Sequence, residues 1–127
     1  GCDVARTVGT REVGNFSSPN YPEAYPNNVV CTTHISAAAA LAGTGRHRVF
    51  LRFNVFGVEA DTNCQYDSLT IFDGASSNDA LIGRYCGFDL PAEIHSTGPN
   101  LSMIFVTDGT SPYNGYEAEY WIIDGKQ

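Results

Sequence analysis

Four cysteines, Cys2, Cys31, Cys64 and Cys86, constrain this chain more than any other residues. None forms a CxxC pair, so a zinc ribbon or thioredoxin-type motif is unsupported. An even count in a small acidic domain points to a disulfide framework made in an oxidising compartment, which places the protein outside the cell, secreted or on an ectodomain. Four cysteines allow three connectivities, and spacing alone leaves them open. Pairing neighbours in sequence would close two moderate loops, each bond stabilising by about 3–4 kcal/mol in the chain-entropy model. Two sequons agree with that compartment: Asn15-Phe16-Ser17 and Asn100-Leu101-Ser102 make Asn15 and Asn100 candidate glycosylation sites.

The chain has 127 residues, enough for one domain with a real core. Apolar residues are 43% and charged residues 17%, unlike a disordered or coiled-coil chain. No apolar run approaches the roughly 20 residues of a membrane helix, so direct membrane insertion is not expected. No basic–apolar–small leader opens the sequence, so any signal peptide is expected to lie outside it. Fourteen acids against seven bases give a net charge of −7, which argues against nucleic acid as a partner. The same imbalance favours a cationic partner or a bound metal ion.

Patterning points to strands. Val49, Leu51, Phe53 and Val55 alternate against Arg52 and Asn54, with Phe50 and Phe56 as exceptions. Residues 68–72 are β-rich and stop at an Asp73-Gly74 turn signal. Leu101, Met103 and Phe105 share a face. Asn114-Gly115 predicts a tight turn, after which Tyr116, Ala118, Tyr120 and Ile122 oppose Glu117 and Glu119. Between Pro19 and Pro26 there are three prolines in eight residues, which is loop and not sheet interior. The alanine-rich 36–42 is too short for an isolated helix and reads as a strand end leading to a loop with at most one helical turn. Short strands separated by turn signals predict an all-β fold, a two-sheet antiparallel β-sandwich. One domain spans 1–127, with its core at about 2–123 and residues 124–127 as the start of a linker.

Hydrolase signatures fail. His34, His47 and His95 are scattered without an HExxH pair, and there is no GxSxG elbow or phosphate-binding glycine loop. An EF-hand beginning at Asp61 fails too, with Tyr66 in the glycine position and Phe72 in the terminal glutamate position. A discontinuous oxygen site remains. Glu59 closes one predicted strand, Asp67 opens the next and Asp108 closes a third. If those strand ends converge at one pole, three carboxylates meet and repel unless protonated or neutralised by a cation, and calcium suits such donors.

These residues, taken in order, resemble a CUB domain, the extracellular β-sandwich module of complement proteases, tolloid-type proteases and many receptors. The matching pieces are Cys2, Gly14, Ser18-Pro19-Asn20-Tyr21-Pro22, Tyr25-Pro26, Cys31, Leu51 to Phe56, Cys64-Gln65-Tyr66-Asp67, Asp73-Gly74, Tyr85-Cys86-Gly87, Pro91, Phe105, Asp108 and Gly115-Tyr116. The resemblance implies a jelly-roll sandwich of the CUB and spermadhesin kind. It implies disulfides Cys2–Cys31 and Cys64–Cys86. In the calcium-binding subset it puts the metal on Glu59, Asp67 and Asp108, with backbone oxygens of Thr110 and Ser111 as further ligands. It puts the subset's tyrosine on Tyr25, so that Tyr25, Glu59 and Asp67 would face a lysine or arginine of an extracellular protein partner, or other modules of the same chain. Thr33 stands where the family often has tryptophan, and the alanine-rich loop with its Arg46-His47-Arg48 tip is longer than usual. The implied function is a non-catalytic binding module. The alternatives are an accessory module of a secreted protease, which positions substrate or drives dimerisation, and a spermadhesin-like glycan binder stacking sugars on Tyr113 or Tyr116.

Overall fold

The computed structural model describes residues 2–124. It is an all-β sandwich. The strands are β1 (Val4–Val8), β2 (Val13–Ser17), β3 (Val30–Ala37), β4 (His47–Gly57), β5 (Ser68–Asp73), β6 (Ala80–Tyr85), β7 (Ile94–His95), β8 (Asn100–Val106) and β9 (Gly115–Asp124). One sheet runs β1-β3-β8-β5-β6 and the other β2-β9-β4-β7. Among the described pairs only β1–β3 is parallel. A single helical turn, α1 (Ala39–Ala42), follows β3, as the alanine run allows. Residues 125–127 of the expected linker lie outside the described residues.

The core lies between the sheets. Ile35, Leu69, Ile71, Leu101, Met103 and Phe105 of one sheet meet Val49, Leu51, Phe53, Ala118 and Tyr120 of the other. The period-two alternation read in β4 and β9 is what turns these side chains inward. One expectation fails locally. The β4–β9 register shifts between Phe53 and Val55, because Asn54 is an extra residue in the ladder. That bulge reverses the alternation, so Val55 is only half-buried and Phe56 enters the core. Phe50 is the other exception. It lies outside, against Trp121 and His95 at ring-centroid distances of 5.0 and 6.0 Å.

The tight turn expected at Asn114-Gly115 is not a hairpin. β8 and β9 belong to different sheets, and residues 107–114 cross between them. Gly115 has φ +83°, and the Ser18 side chain occupies the space a Cβ would need. Ser18 Oγ also accepts the Tyr116 N–H at 3.0 Å, which ties the proline-rich loop to the start of β9. The two disulfides are Cys2–Cys31 and Cys64–Cys86. The first secures the chain's start to β3; the second secures the β4–β5 connection to the end of β6. Thr33 is buried and lines a cleft of about 250 Å³ with Cys2, Val4, Ser17, Pro19, Cys31 and Tyr116.

Leu101 is fully buried on β8, which lies between β3 and β5. Leu101→Ala is expected to cost about 2–5 kcal/mol in urea unfolding. Val13→Ala, at an exposed position, is expected to stay within about 0.5 kcal/mol of the parent.

Candidate metal centre

Three strand ends meet at one pole of the sandwich. Glu59 lies two residues past β4, Asp67 immediately precedes β5, and Asp108 lies two residues past β8. Each offers a carboxylate oxygen within 4.8 Å of the other two. Residues separated by up to 49 positions are therefore gathered at one point, because β5 pairs with β8 and the end of β4 is pinned beside Gly87. The pinning is a pair of backbone hydrogen bonds, Val58 N–H to Gly87 O at 3.0 Å and Gly87 N–H to Val58 O at 2.7 Å.

Asp67 is the fixed member of the trio, at 0% exposure. Its Oδ2 accepts the Tyr25 hydroxyl at 2.6 Å and its Oδ1 accepts the Asp108 N–H at 2.8 Å. Tyr25 Oη in turn accepts the Glu59 N–H at 3.1 Å. Burial pushes the Asp67 carboxyl above the usual carboxylate range, against the opposing pull of those two donors. Burial, reinforced by the hydrogen bond to Asp67, likewise raises the Tyr25 hydroxyl, so it stays protonated as a donor. Glu59 is raised by desolvation first, then by the charges of Asp108 and Asp67.

The arrangement fits a hard divalent cation on its own geometry. Calcium–oxygen distances of about 2.3–2.6 Å let ligands on opposite sides of one ion lie about 5 Å apart, which spans the observed oxygen separations. Glu59 Oε1 is buried and has no hydrogen-bond partner. An orphaned carboxylate oxygen facing two other acids is costly unless a positive charge compensates it. Thr110 and Ser111 lie in the exposed loop directly after Asp108. The Thr110 N–H donates to Asp108 Oδ1 at 3.1 Å, and Ser111 adopts φ +60°.

The three residues expected to face a partner, Tyr25, Glu59 and Asp67, differ in burial. Tyr25 is 1% exposed and Asp67 is fully enclosed. Both Asp67 oxygens are already engaged by donors. Tyr25 packs edge-on against Phe105 at 5.0 Å and acts as a positioning residue for Asp67. The half-buried members, Glu59 and Asp108, are the ones that reach solvent. Tyr116 is also buried, which removes it as a sugar-stacking surface, whereas Tyr113 is exposed. Asn15 is exposed on β2; Asn100 is half-buried, its Oδ1 2.8 Å from His34 Nε2.

Thr107 escaped the sequence reading. Its buried hydroxyl donates to Pro26 O at 2.9 Å and accepts the Val29 N–H at 3.0 Å. The Asn28 N–H donates to Asp108 O at 2.8 Å, so the loop after Tyr25 and the loop of Asp108 are laced together. Nothing in a lone threonine after a strand announces such a role.

In the metal-free protein the folded state holds a proton on Glu59 more tightly than the unfolded chain does. Its charge therefore costs stability at neutral pH, and the cost is relieved as pH falls through the raised value. Glu59→Gln in chelator is expected to melt above the parent at neutral pH. The difference should shrink as pH enters the ordinary carboxylate range; a variant that melts lower at neutral pH contradicts this.

Comparison with known proteins agrees with the geometry. The CUB domain family model matches residues 2–120. Human Tolloid-like protein 1 is 40% identical over 108 residues, covering 85% of this chain and 10% of the relative. The chain thus spans about a tenth of the length of that relative. The full extracellular region of zebrafish Adgrg6 superposes with a TM-score of 0.79 at 26% identity, covering 97% of this chain and 15% of that one. The crystal structure of the MASP-1 CUB2 domain bound to Ca2+ gives a TM-score of 0.72 at 24% identity, covering 91% of this chain and 96% of that one.

Proposed function

Because the chain belongs to the CUB domain family, we propose that it is a non-catalytic, extracellular protein-interaction module whose Glu59, Asp67 and Asp108 hold calcium. The backbone oxygens of Thr110 and Ser111 complete the ligand set. The observation behind this reading is the convergence of three carboxylates around the unpartnered, buried Glu59 Oε1. The calcium-bound state of the MASP-1 CUB2 domain supports it. The two disulfides and the extracellular setting of the zebrafish relative support the compartment.

Calcium supplies the positive charge that lets the three carboxylates stay ionised and close together. Asp67, clamped by Tyr25 and the Asp108 backbone, sets the position of the trio. Glu59 and Asp108 then direct their outward oxygens to a lysine or arginine of a partner protein. The attraction between unit charges about 4 Å apart is roughly 4 kcal/mol at an effective dielectric near 20. Desolvation and side-chain ordering consume most of it, and exposed pairs net about 0–1 kcal/mol. Useful affinity therefore comes from a wider interface or from several modules acting together.

Calcium is expected to raise the melting temperature in a concentration-dependent way, by about 2.7 kcal/mol of stabilisation at a hundredfold excess over Kd. In titration calorimetry Glu59→Ala and Asp108→Ala should each weaken calcium binding at least about tenfold, or about 1.4 kcal/mol. Unchanged calcium affinity in both variants would show the site assignment to be wrong. Partner binding should be lost in chelator and weaken as salt rises, because exposed charges are screened over about 10 Å at 0.1 M ionic strength.

A further inference from the structure

Beside the acidic pole the structure exposes an aromatic pair. Phe88 is 56% exposed and Tyr113 is 40% exposed, and their rings meet edge to face at 5.0 Å. Large aromatics that touch each other in solvent, and not the core, form a small apolar platform. Its position relative to Glu59 follows from the backbone. Val58 bridges Gly87 in antiparallel register, which sets Phe88 opposite Gly57. A Cβ added to Gly57 would meet Asn114 Oδ1 and lie 3.8 Å from Phe88 Cδ1, so the Asn114 amide covers that glycine and the phenyl ring flanks it. Gly57 and Glu59 are two residues apart in extended chain and project to the same side. The backbone position that Phe88 faces therefore lies one strand repeat, about 7 Å, from that of Glu59. Tyr113 belongs to the same pole, since its carbonyl accepts the Tyr25 N–H at 3.0 Å.

We propose that Phe88 and Tyr113 form a second subsite, which reads an apolar side chain two residues from the lysine or arginine held at Glu59 and Asp108. The partner is thus an extended protein segment carrying a cation and an aliphatic or aromatic residue on one face. Charge complementarity selects this occupant: the platform adjoins an acidic trio in a chain of net charge −7. Two residues along an extended peptide span the same distance as the backbone from Glu59 to Gly57, which the Phe88 ring flanks. This inference rests on the proposed function and specifies its partner.

Two immobilised peptides test it, one with the core Lys-Gly-Leu and one with Lys-Gly-Ser, each offered to the protein in calcium. The leucine peptide is expected to bind about fivefold better, as partial burial of one aliphatic side chain implies. Phe88→Ser should erase that preference while leaving the serine peptide bound as before. Leu81→Ser, which removes an exposed apolar residue from edge strand β6, should leave the preference intact. Glu59→Gln should weaken both peptides. A preference that survives Phe88→Ser, or none in the parent, overturns the subsite while the cation reading stands. Binding of neither peptide, or binding indifferent to Glu59→Gln, overturns both. Calcium-dependent retention on immobilised dextran that Phe88→Ser abolishes, without peptide preference, reassigns the platform to sugars.

Discussion

The pole of this sandwich depends on one enclosed carboxylate. Asp67 has no exposure, and each of its oxygens accepts a hydrogen bond from a different part of the chain. A charged group in that position is tolerable only if donors replace its water. The donors are Tyr25, from the proline-rich loop, and the Asp108 backbone, from the crossover between sheets. Tyr25 also fixes the Glu59 backbone. The Asp67 and Tyr25 side chains together thus tie four loop segments. Removing Asp67 would release the relative positions of the other two acids.

What the sequence reveals and what it hides follow from range. Period-two alternation is local, so the inward faces of β4, β8 and β9 are readable from their own residues. The β4 bulge is not, because an extra residue in a ladder is defined by the partner strand, and β9 lies more than sixty residues away. Asn114-Gly115 carries a genuine turn preference, yet the next strand pairs in the other sheet, and topology overrides the local signal. β1, β2, β6 and β7 leave weak patterns because they are short or lie at sheet edges with few inward positions. At the site, acids at strand ends are visible in the sequence, and their convergence was an expectation conditional on the fold. Burial was the hidden quantity. It separates the enclosed Tyr25 and Asp67 from the half-buried Glu59 and Asp108.

Gathering three acids opposes folding, since burial and mutual repulsion raise both Glu59 and Asp67. The rest of the molecule offsets this. A core continuous across both sheets supports the strands that end at the pole, and the Cys64–Cys86 bond ties the loop that joins Glu59 to Asp67 to the end of β6. Within that loop Asp61 Oδ2 accepts the Asn63 and Gln65 N–H groups, both at 3.1 Å, and Arg84 Nη2 reaches Cys64 O at 2.7 Å. Local rigidity of this kind keeps the acids together against their repulsion. On the proposed calcium reading, the ion would find its ligands already ordered, so less of its binding energy would go into arranging them.

Preorganisation also sets what such a surface can discriminate. An exposed ion pair is worth little by itself, and any lysine-bearing protein could form one. Discrimination needs a second contact at a fixed distance from the first, because two weak contacts on rigid supports act as one ligand with the ordering cost shared. On the proposed reading the backbone bridge between Val58 and Gly87 supplies that spacing, because its two hydrogen bonds tie the segment of Glu59 to the segment of Phe88. A mobile loop carrying the same aromatic would add area without spacing, and spacing is what separates one basic segment from another.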